Sequence, residues 1–211
     1  MQKPKRELLL ANHPDGHHHI KGQTLVGKRI EIGKGKSQDF ILNCTLLDCE
    51  IAIFCGASHV NIFASTLQQC TIQARREMKG WRLTDCTLQA CVFEGKYSGC
   101  RFGAEDETST FSMQDCDFSA VRLLDFCEFG EGVMLKQIKW PAWPHIVITD
   151  LPQSRENWLA LALPAALASA QQIIGEEDAP WRAVSLYLPA HLAQFDALRE
   201  SLATEPYIIK A

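Results

Sequence analysis

The sequence lacks the motifs that identify several large classes of enzymes and membrane proteins. No apolar run is as long as a transmembrane helix, and Leu8–Ala11 is too short an apolar stretch for a secretory signal. There is no P-loop, no Gly-x-Gly-x-x-Gly motif and no His-Glu-x-x-His motif. Cys-x-x-Cys pairs, which are common in zinc sites, are also absent. We therefore expect a cytoplasmic, non-enzymatic protein without cofactor, metal site or membrane contact.

What the sequence does contain is a cysteine repeat. Eight of the nine cysteines are followed, two residues later, by Leu, Ile or Phe. In a strand these two residues share a face, so both would point inward and the residue between them outward. The odd count and the missing export signal argue against disulfides, so we expect buried thiols. The repeat begins at Cys44, Cys49, Cys70, Cys86, Cys91, Cys100, Cys116 and Cys127.

The large residues of the repeat recur at two intervals. Leu46 and Ile51 are five residues apart, as are Leu83 and Leu88, whereas Leu46 and Ile62 are sixteen apart. Fixed intervals of this kind are typical of solenoids. We interpret them as a three-sided right-handed parallel β-helix of about 16 residues per rung over residues 39–139. Residues 1–38 would form an N-terminal cap or the first rung, and an antiparallel β-sandwich is the alternative.

The Cys-x-Leu/Ile/Phe units and the steps of five resemble the pentapeptide-repeat proteins over roughly residues 39–130. In that family a central Leu or Phe and a small residue two places earlier point into a right-handed, four-sided β-helix. The resemblance implies a mainly β solenoid that binds a protein partner. Asp117 and Asn61 alone match the family preference for Asp or Asn before the centre, and the repeats are degenerate.

The solenoid is expected to end at the segment Trp140-Pro141-Ala142-Trp143-Pro144, since prolines interrupt central strands. Its tryptophans would either cover the last rung or form an exposed binding anchor. Residues 140–211 would form a small α/β cap or appendage. Strands are expected at 145–149, 183–188 and 207–210, and helices at 165–174 and after Pro189.

Charge is distributed unevenly along the chain. Residues 1–38 carry 8 basic and 3 acidic groups, residues 39–135 carry 7 and 14, and residues 136–211 carry 6 and 8. The net charges of +5, −7 and −2 sum to the −4 of the whole chain. An acidic rod does not favour nucleic-acid binding, which needs Lys and Arg, but favours a basic protein partner.

Three groups of residues were weighed as candidates for chemistry. His13 and the run His17, His18 and His19 could bind a metal, but adjacent histidines of a strand point in opposite directions. Cys55 precedes His59 by four residues, which alone does not activate a thiol. A carbohydrate enzyme would need paired carboxylates, for which Asp115, Asp117 and Asp125 are candidates, and ice binding would need paired Thr-x-Thr rows. Thr45, Thr71 and Thr87 share a phase, but such rows are absent.

These observations favour a non-enzymatic solenoid that binds one basic protein, in the manner of an inhibitor or immunity protein. The alternatives are a DNA-mimicking pentapeptide-repeat protein that protects a topoisomerase, and a β-helical carbohydrate-active enzyme. Homo-oligomers through the end caps are also compatible with the sequence. The candidate partner-binding residues are Glu105, Asp106, Glu107, Asp115, Asp117, Trp140 and Trp143.

Overall fold

The computed structural model describes residues 8–9, 18–35, 38–104, 109–176, 181–189, 191–192 and 196–209. They form a parallel β-solenoid followed by a small α/β module. The strands are β1 (Leu8–Leu9), β2 (His18–Lys21), β3 (Thr24–Val26), β4 (Arg29–Ile32), β5 (Asp39–Leu42), β6 (Thr45–Leu47), β7 (Glu50–Ile53), β8 (Val60–Phe63), β9 (Thr66–Gln68), β10 (Thr71–Ala74), β11 (Met78–Lys79), β12 (Arg82–Leu83), β13 (Thr87–Gln89), β14 (Val92–Ser98), β15 (Arg101–Phe102), β16 (Ser112–Gln114), β17 (Asp117–Asp125), β18 (Glu128–Phe129), β19 (His145–Thr149), β20 (Ala183–Tyr187) and β21 (Ile208–Ile209). The α-helices are α1 (Leu151–Ala160), α2 (Ala168–Glu176) and α3 (Asp196–Thr204), and short 3-10 helices span Ala57–His59, Leu135–Gln137 and Ala165–Leu167.

Parallel strands from successive turns stack into three faces. Face A contains β1, β4, β7, β10, β14 and β17, and face C contains β3, β6, β9, β13 and β16. Face B contains β2, β5 and β8, followed along the solenoid by β12, β15 and β18. The parallel solenoid expected from the cysteine repeat is therefore confirmed, and the antiparallel sandwich is excluded for this region.

The expected turn length of about 16 residues is wrong, because each regular turn has 21. In the register of face C, Leu25 lies beside Leu46, Leu46 beside Leu67, and Leu67 beside Leu88. The sixteen-residue interval connects a residue to the previous face of the next turn, since 21 − 5 = 16. Leu46 on face C and Ile62 on face B are such a pair.

The missing five residues form a fourth side, so the three-sided interpretation is also corrected. In the first two turns this side is a connecting segment without a strand, at 33–38 and 54–59, of which residues 36–37 lie outside the described part. In later turns it forms short strands, since Met78 of β11 pairs with Tyr97, and Tyr97 pairs with Leu124. Later turns thus approach the four sides that the pentapeptide-repeat resemblance implies.

Most corners between faces contain a residue with positive φ. Between faces C and A these include Asp48 (φ 50°), Gln69 (φ 55°), Ala90 (φ 51°) and Asp115 (φ 53°). Asp is among the few residues that enter the left-handed region easily, whereas Ala and Gln do so at a cost. The stacked turns above and below therefore impose the corner geometry at Gln69 and Ala90.

The repeat cysteines are buried at the corners, as expected. One column stacks Cys49, Cys70, Cys91 and Cys116 in successive turns, all 0% exposed. The Cys70 thiol donates to the carbonyl of Leu46 in the previous turn (3.3 Å), and the other thiols of the column, except Cys116, repeat this bond. All nine cysteines are free. The thiols are thus small packing residues that also satisfy backbone carbonyls.

The core changes from aliphatic to aromatic along the solenoid. Leu and Ile fill the first turns, whereas Phe93 stacks on Phe118 (ring centroids 4.3 Å apart) and Phe102 on Phe129 (5.3 Å) in the last turns. Trp140 closes this core by packing against Phe118 and Phe129. Covering the last rung, one of the two roles expected for the tryptophans, is therefore the role of Trp140.

The C-terminal module continues the sheet of the solenoid. Strand β18 pairs antiparallel with β20, which pairs with β19, which pairs with β21. A second core beneath this sheet includes Trp158, Ile174, Leu198 and Leu202. The expected strands and the helix at 165–174 are confirmed. The helix expected directly after Pro189 is displaced, because α3 begins at Asp196.

Candidate binding surface

The thiols are protected from chemistry by burial. Burial raises the pKa of Cys86 to about 11. A hydrogen bond with Cys116, together with burial, raises that of Cys91 to about 12. The thiolate is the nucleophile and metal ligand, so these thiols are unreactive in the folded chain. In the described part of the chain, no cluster of three or more His, Cys, Asp or Glu side chains could hold a metal ion.

The histidine run and Cys55 are structural in the part that can be described. His18 Nδ1 lies 2.7 Å from Asp39 Oδ1, and His19 stacks on Phe40 with ring centroids 4.8 Å apart. His13 and His17 lie outside the described residues. Burial, with a contribution from Asp39, raises the pKa of Cys55, so the thiol is not activated. The His59 ring lies 2.9 Å from the hydroxyl of Ser58.

The three candidate carboxylates do not form one site. Asp117 and Asp125 lie at opposite ends of β17, and Asp115 occupies a corner before it. Burial opposes ionisation of Asp117, but hydrogen bonds from Ser119 and Lys139 outweigh it and lower its pKa. Burial raises the pKa of Asp125, whose carboxylate accepts a hydrogen bond from the Tyr187 amide (3.0 Å). Each carboxylate therefore has a separate local role.

The predicted partner-binding residues are placed differently from one another. Trp140 is 5% exposed and belongs to the core, so it is not an exposed anchor. Trp143 is half-buried, with the Arg199 guanidinium 5.8 Å from its ring. Asp115 is exposed at the end of face C, and Asp117 pairs with Lys139 (2.9 Å). Glu105, Asp106 and Glu107 lie outside the described residues, and their role stays a prediction.

Face C presents a surface that the sequence analysis did not identify. None of the fifteen residues in its five strands is charged. Its outward side chains form two rows, which we call the ladder. The first row is Thr24, Thr45, Thr66, Thr87 and Ser112, and the second is Val26, Leu47, Gln68, Gln89 and Gln114. Stacked strands lie about 4.8 Å apart, so five strands span about 19 Å.

The ladder is polar and regular, and its side chains are available. In the described part of the chain, its hydroxyl and amide groups make no side-chain hydrogen bond or ion pair. By contrast, face A pairs its own charges, as Arg29 does with Glu31 (3.1 Å) and Glu50 (3.3 Å). The corners beside the ladder carry Asp48, Asp85 and Asp115. The surface is therefore an uncharged strip with an acidic rim.

The signal for the ladder was the 21-residue interval of its threonines. Thr24, Thr45, Thr66 and Thr87 are each separated by 21 residues. The sequence analysis grouped Thr71 with Thr45 and Thr87, which was wrong because Thr71 lies on face A. With a turn of 16 residues, the threonines could not be seen to form one row.

Comparisons with known proteins add no family to these observations. No protein-family model, no curated protein and no solved structure matches the chain. The pentapeptide-repeat likeness therefore remains a resemblance of spacing and of inward residues. None of the helices in the described residues has the length and apolar character needed to cross a membrane.

Proposed function

We propose that this chain is a non-enzymatic binding protein whose ladder engages one basic protein partner, as an inhibitor or immunity protein would. The observation that carries the proposal is the in-register, uncharged ladder between acidic corners. Its free hydroxyl and amide groups supply hydrogen bonds, and the rigid stack holds them at fixed spacing. Preorganisation of this kind lowers the entropic cost of association.

Charge supports a basic partner. Asp48, Asp85 and Asp115 rim the ladder, and among the five C-to-A corner residues Gly27, Asp48, Gln69, Ala90 and Asp115 none is basic. An acidic rim steers a positively charged partner toward the strip and raises the association rate. A stable interface needs about 800 Å² on each partner, so contacts must extend from the ladder onto these corners.

The apolar end of the ladder supplies part of the binding energy. Val26 is 60% exposed, and Leu47 beside it is half-buried. Burying exposed apolar surface contributes about 25 cal/mol per Å². The strip therefore grades from apolar at its first turns to amide-rich at Gln68, Gln89 and Gln114, which gives a partner a fixed orientation.

The proposal includes a cytoplasmic location and self-association through the end caps as a separate property. The nine free cysteines support a reducing compartment, because disulfides persist in oxidising ones. Self-association is measured by sedimentation of the purified chain over a concentration range. A dimer that is lost on mutation of Val26 at the first turn, but not of ladder residues in later turns, would indicate an end contact.

The test is affinity purification from the native cell with matched variants. The double variant Gln68→Arg and Gln89→Arg places two cations in the middle of the ladder. The control Asn61→Arg and Thr71→Arg adds the same charge on faces B and A. One stoichiometric basic protein should bind the wild type and the control, and bind the ladder variant at least about tenfold more weakly.

Other outcomes decide against the proposal. Equal binding by both double variants would place the interface elsewhere. Recovery of a topoisomerase would favour DNA mimicry, and turnover of polyuronides by the chain alone would favour the carbohydrate enzyme. The described carboxylates give neither alternative a specific observation in its favour.

A further inference from the structure

A groove crosses face A where three successive turns meet. Strands β10, β14 and β17 form it, and its cavity has a volume of about 390 Å³. Small residues form its floor, namely Ala74, Gly95 and Ala120, and Gln73 and Glu94 are on one wall. On the other side are two arginines, Arg75 and Arg122. The groove lies on a different face from the ladder and does not depend on the function proposed for it.

The groove is produced by local distortion of the sheet. Strand β17 departs from the register of β14 twice, between the pairs of Val92 and Glu94 and between those of Gly95 and Lys96. Gly95 has φ 112°, and a Cβ at this position would lie 2.3 Å from the carbonyl oxygen of Ala74. Bulges bend a strand and redirect side chains, and they are common next to functional sites. Here they turn Arg122 toward the groove.

Positive charge is concentrated at this corner. Residues 39–135 contain seven basic residues, and five of them, Arg75, Arg76, Lys79, Lys96 and Arg122, lie on the strands and connections beside the groove. Lys79 has a long ion pair to Glu77 (3.8 Å). For the other four, the described part of the chain provides no ion-pair partner. The corner is therefore a basic patch on an otherwise acidic solenoid.

A hydrogen-bond chain orients one wall of the groove. Arg75 Nη2 donates to Gln73 Oε1 (2.5 Å), and Gln73 Nε2 donates to Glu94 Oε2 (3.0 Å). The chain fixes one end of the Arg75 guanidinium, whose remaining N–H groups are available to a ligand. A planar guanidinium binds phosphate or carboxylate through two parallel hydrogen bonds.

We propose that this groove binds a small anion carrying two or more charged groups. Arg75 and Arg122 are separated by two turns, or about 10 Å of solenoid, and Lys96 belongs to the turn between them. The volume is at the lower end of the range for small-molecule sites, which excludes a folded partner inside the groove. The lining contains no aromatic side chain that could stack on a nucleobase or sugar ring. Condensed phosphates and small polycarboxylates share the required chemistry.

Glu94 sets the selectivity of the site. Its carboxylate faces the same cavity and repels an anion, so single charges gain little there. A ligand with several charged groups can contact the arginines at both ends while its middle passes Glu94. The Glu94→Gln variant keeps a hydrogen-bond acceptor for Gln73 and removes the repulsion.

Calorimetric titration of the full chain at constant ionic strength tests the proposal. The probes are tripolyphosphate, propane-1,2,3-tricarboxylate, and inorganic phosphate and acetate as compact anions. We expect one site for at least one of the first two probes, and binding at least about tenfold weaker for the compact anions. The stronger of the two probes identifies phosphate or carboxylate as the natural group.

Variants assign the binding to the groove. Arg75→Gln with Arg122→Gln should weaken binding about a hundredfold, because each removes a charge-assisted contact. The control Lys21→Gln with Lys136→Gln removes two exposed cations elsewhere and should leave binding within about twofold. Glu94→Gln should strengthen it, and a thermal melt confirms that each variant is folded. Absence of saturable binding by either polyanion, or equal loss in both double variants, would overturn the proposal.

Discussion

The buried thiol of Cys86 makes the stability of the solenoid depend on alkaline pH in a way that one substitution isolates. Cys86 is 1% exposed, and its corner neighbours in the adjacent turns are Ser65 and Phe111, so it is not coupled to another stacked thiol. Burial raises its pKa from 9.0 to about 11. Its contribution to stability is therefore complete below pH 9 and is lost as the pH rises toward 11, because only the unfolded thiol ionises in that range.

The expected magnitude follows from the size of this difference. One pH unit above the unfolded pKa costs roughly 1.4 kcal/mol for one group, so the wild type loses about that amount between pH 8 and pH 10 through Cys86 alone. Cys86→Ala cannot lose it. The substitution should cost about 1 kcal/mol at pH 8, for the lost packing of the sulfur, and become neutral or slightly stabilising at pH 10.

Urea unfolding followed by tryptophan fluorescence, with a reductant present, measures both proteins at pH 8, 9 and 10. Other titrating groups are common to both proteins and cancel in the difference. Thr87→Ala, an exposed neighbour on the ladder, serves as the control and should show a pH-independent difference. A Cys86→Ala difference that stays constant from pH 8 to pH 10 would refute the burial of this thiol.

Three further predictions follow from the packing. Leu67→Ala, at 0% exposure between Leu46 and Leu88, should lower the unfolding free energy by about 3–4 kcal/mol in urea, and Gln68→Ala on the outward side by less than about 0.5 kcal/mol. Gly95→Ala should cost at least about 2 kcal/mol in the same assay, because the new Cβ meets the Ala74 carbonyl and φ 112° is strained; a neutral result would contradict the bulge geometry. A thiol reagent should count nine thiols in denatured, non-reduced chain and label the native chain only at the rate of unfolding; fewer than nine would indicate disulfides.

Inward positions were predictable because burial restricts them to few residue types. The pairs such as Cys70 and Ile72 are both 0% exposed, and the polar residue between them faces outward, as period-two alternation requires. The same alternation gave the parallel stack, since only repeated rungs reuse one pair at one spacing. Packing thus left a strong signal in the sequence for the core of every face.

Turn length was not predictable from those pairs, because the fourth side is irregular. In the second turn this side contains Cys55 and a 3-10 helix at Ala57–His59, with neither of the inward pairs that mark the other faces. The step of five stops there, and the sixteen-residue interval across it was taken for the repeat. Outward residues such as Thr24 and Thr45 fix the turn at 21 residues, and a search confined to the core does not read them.

The candidate surfaces escaped the sequence analysis for a related reason. Net charge describes the solenoid as acidic, but the fold brings Arg75, Lys96 and Arg122 together from three turns while leaving face C uncharged. Charge separation of this kind depends on register, which a one-residue error in turn length would destroy. Because the stacked turns are rigid and each contacts only its neighbours, the ladder and the groove are positioned by the same turns yet face different ligands. A variant in one surface should therefore leave the affinity of the other unchanged, whereas a change in the turn length between Leu67 and Leu88 should disrupt both.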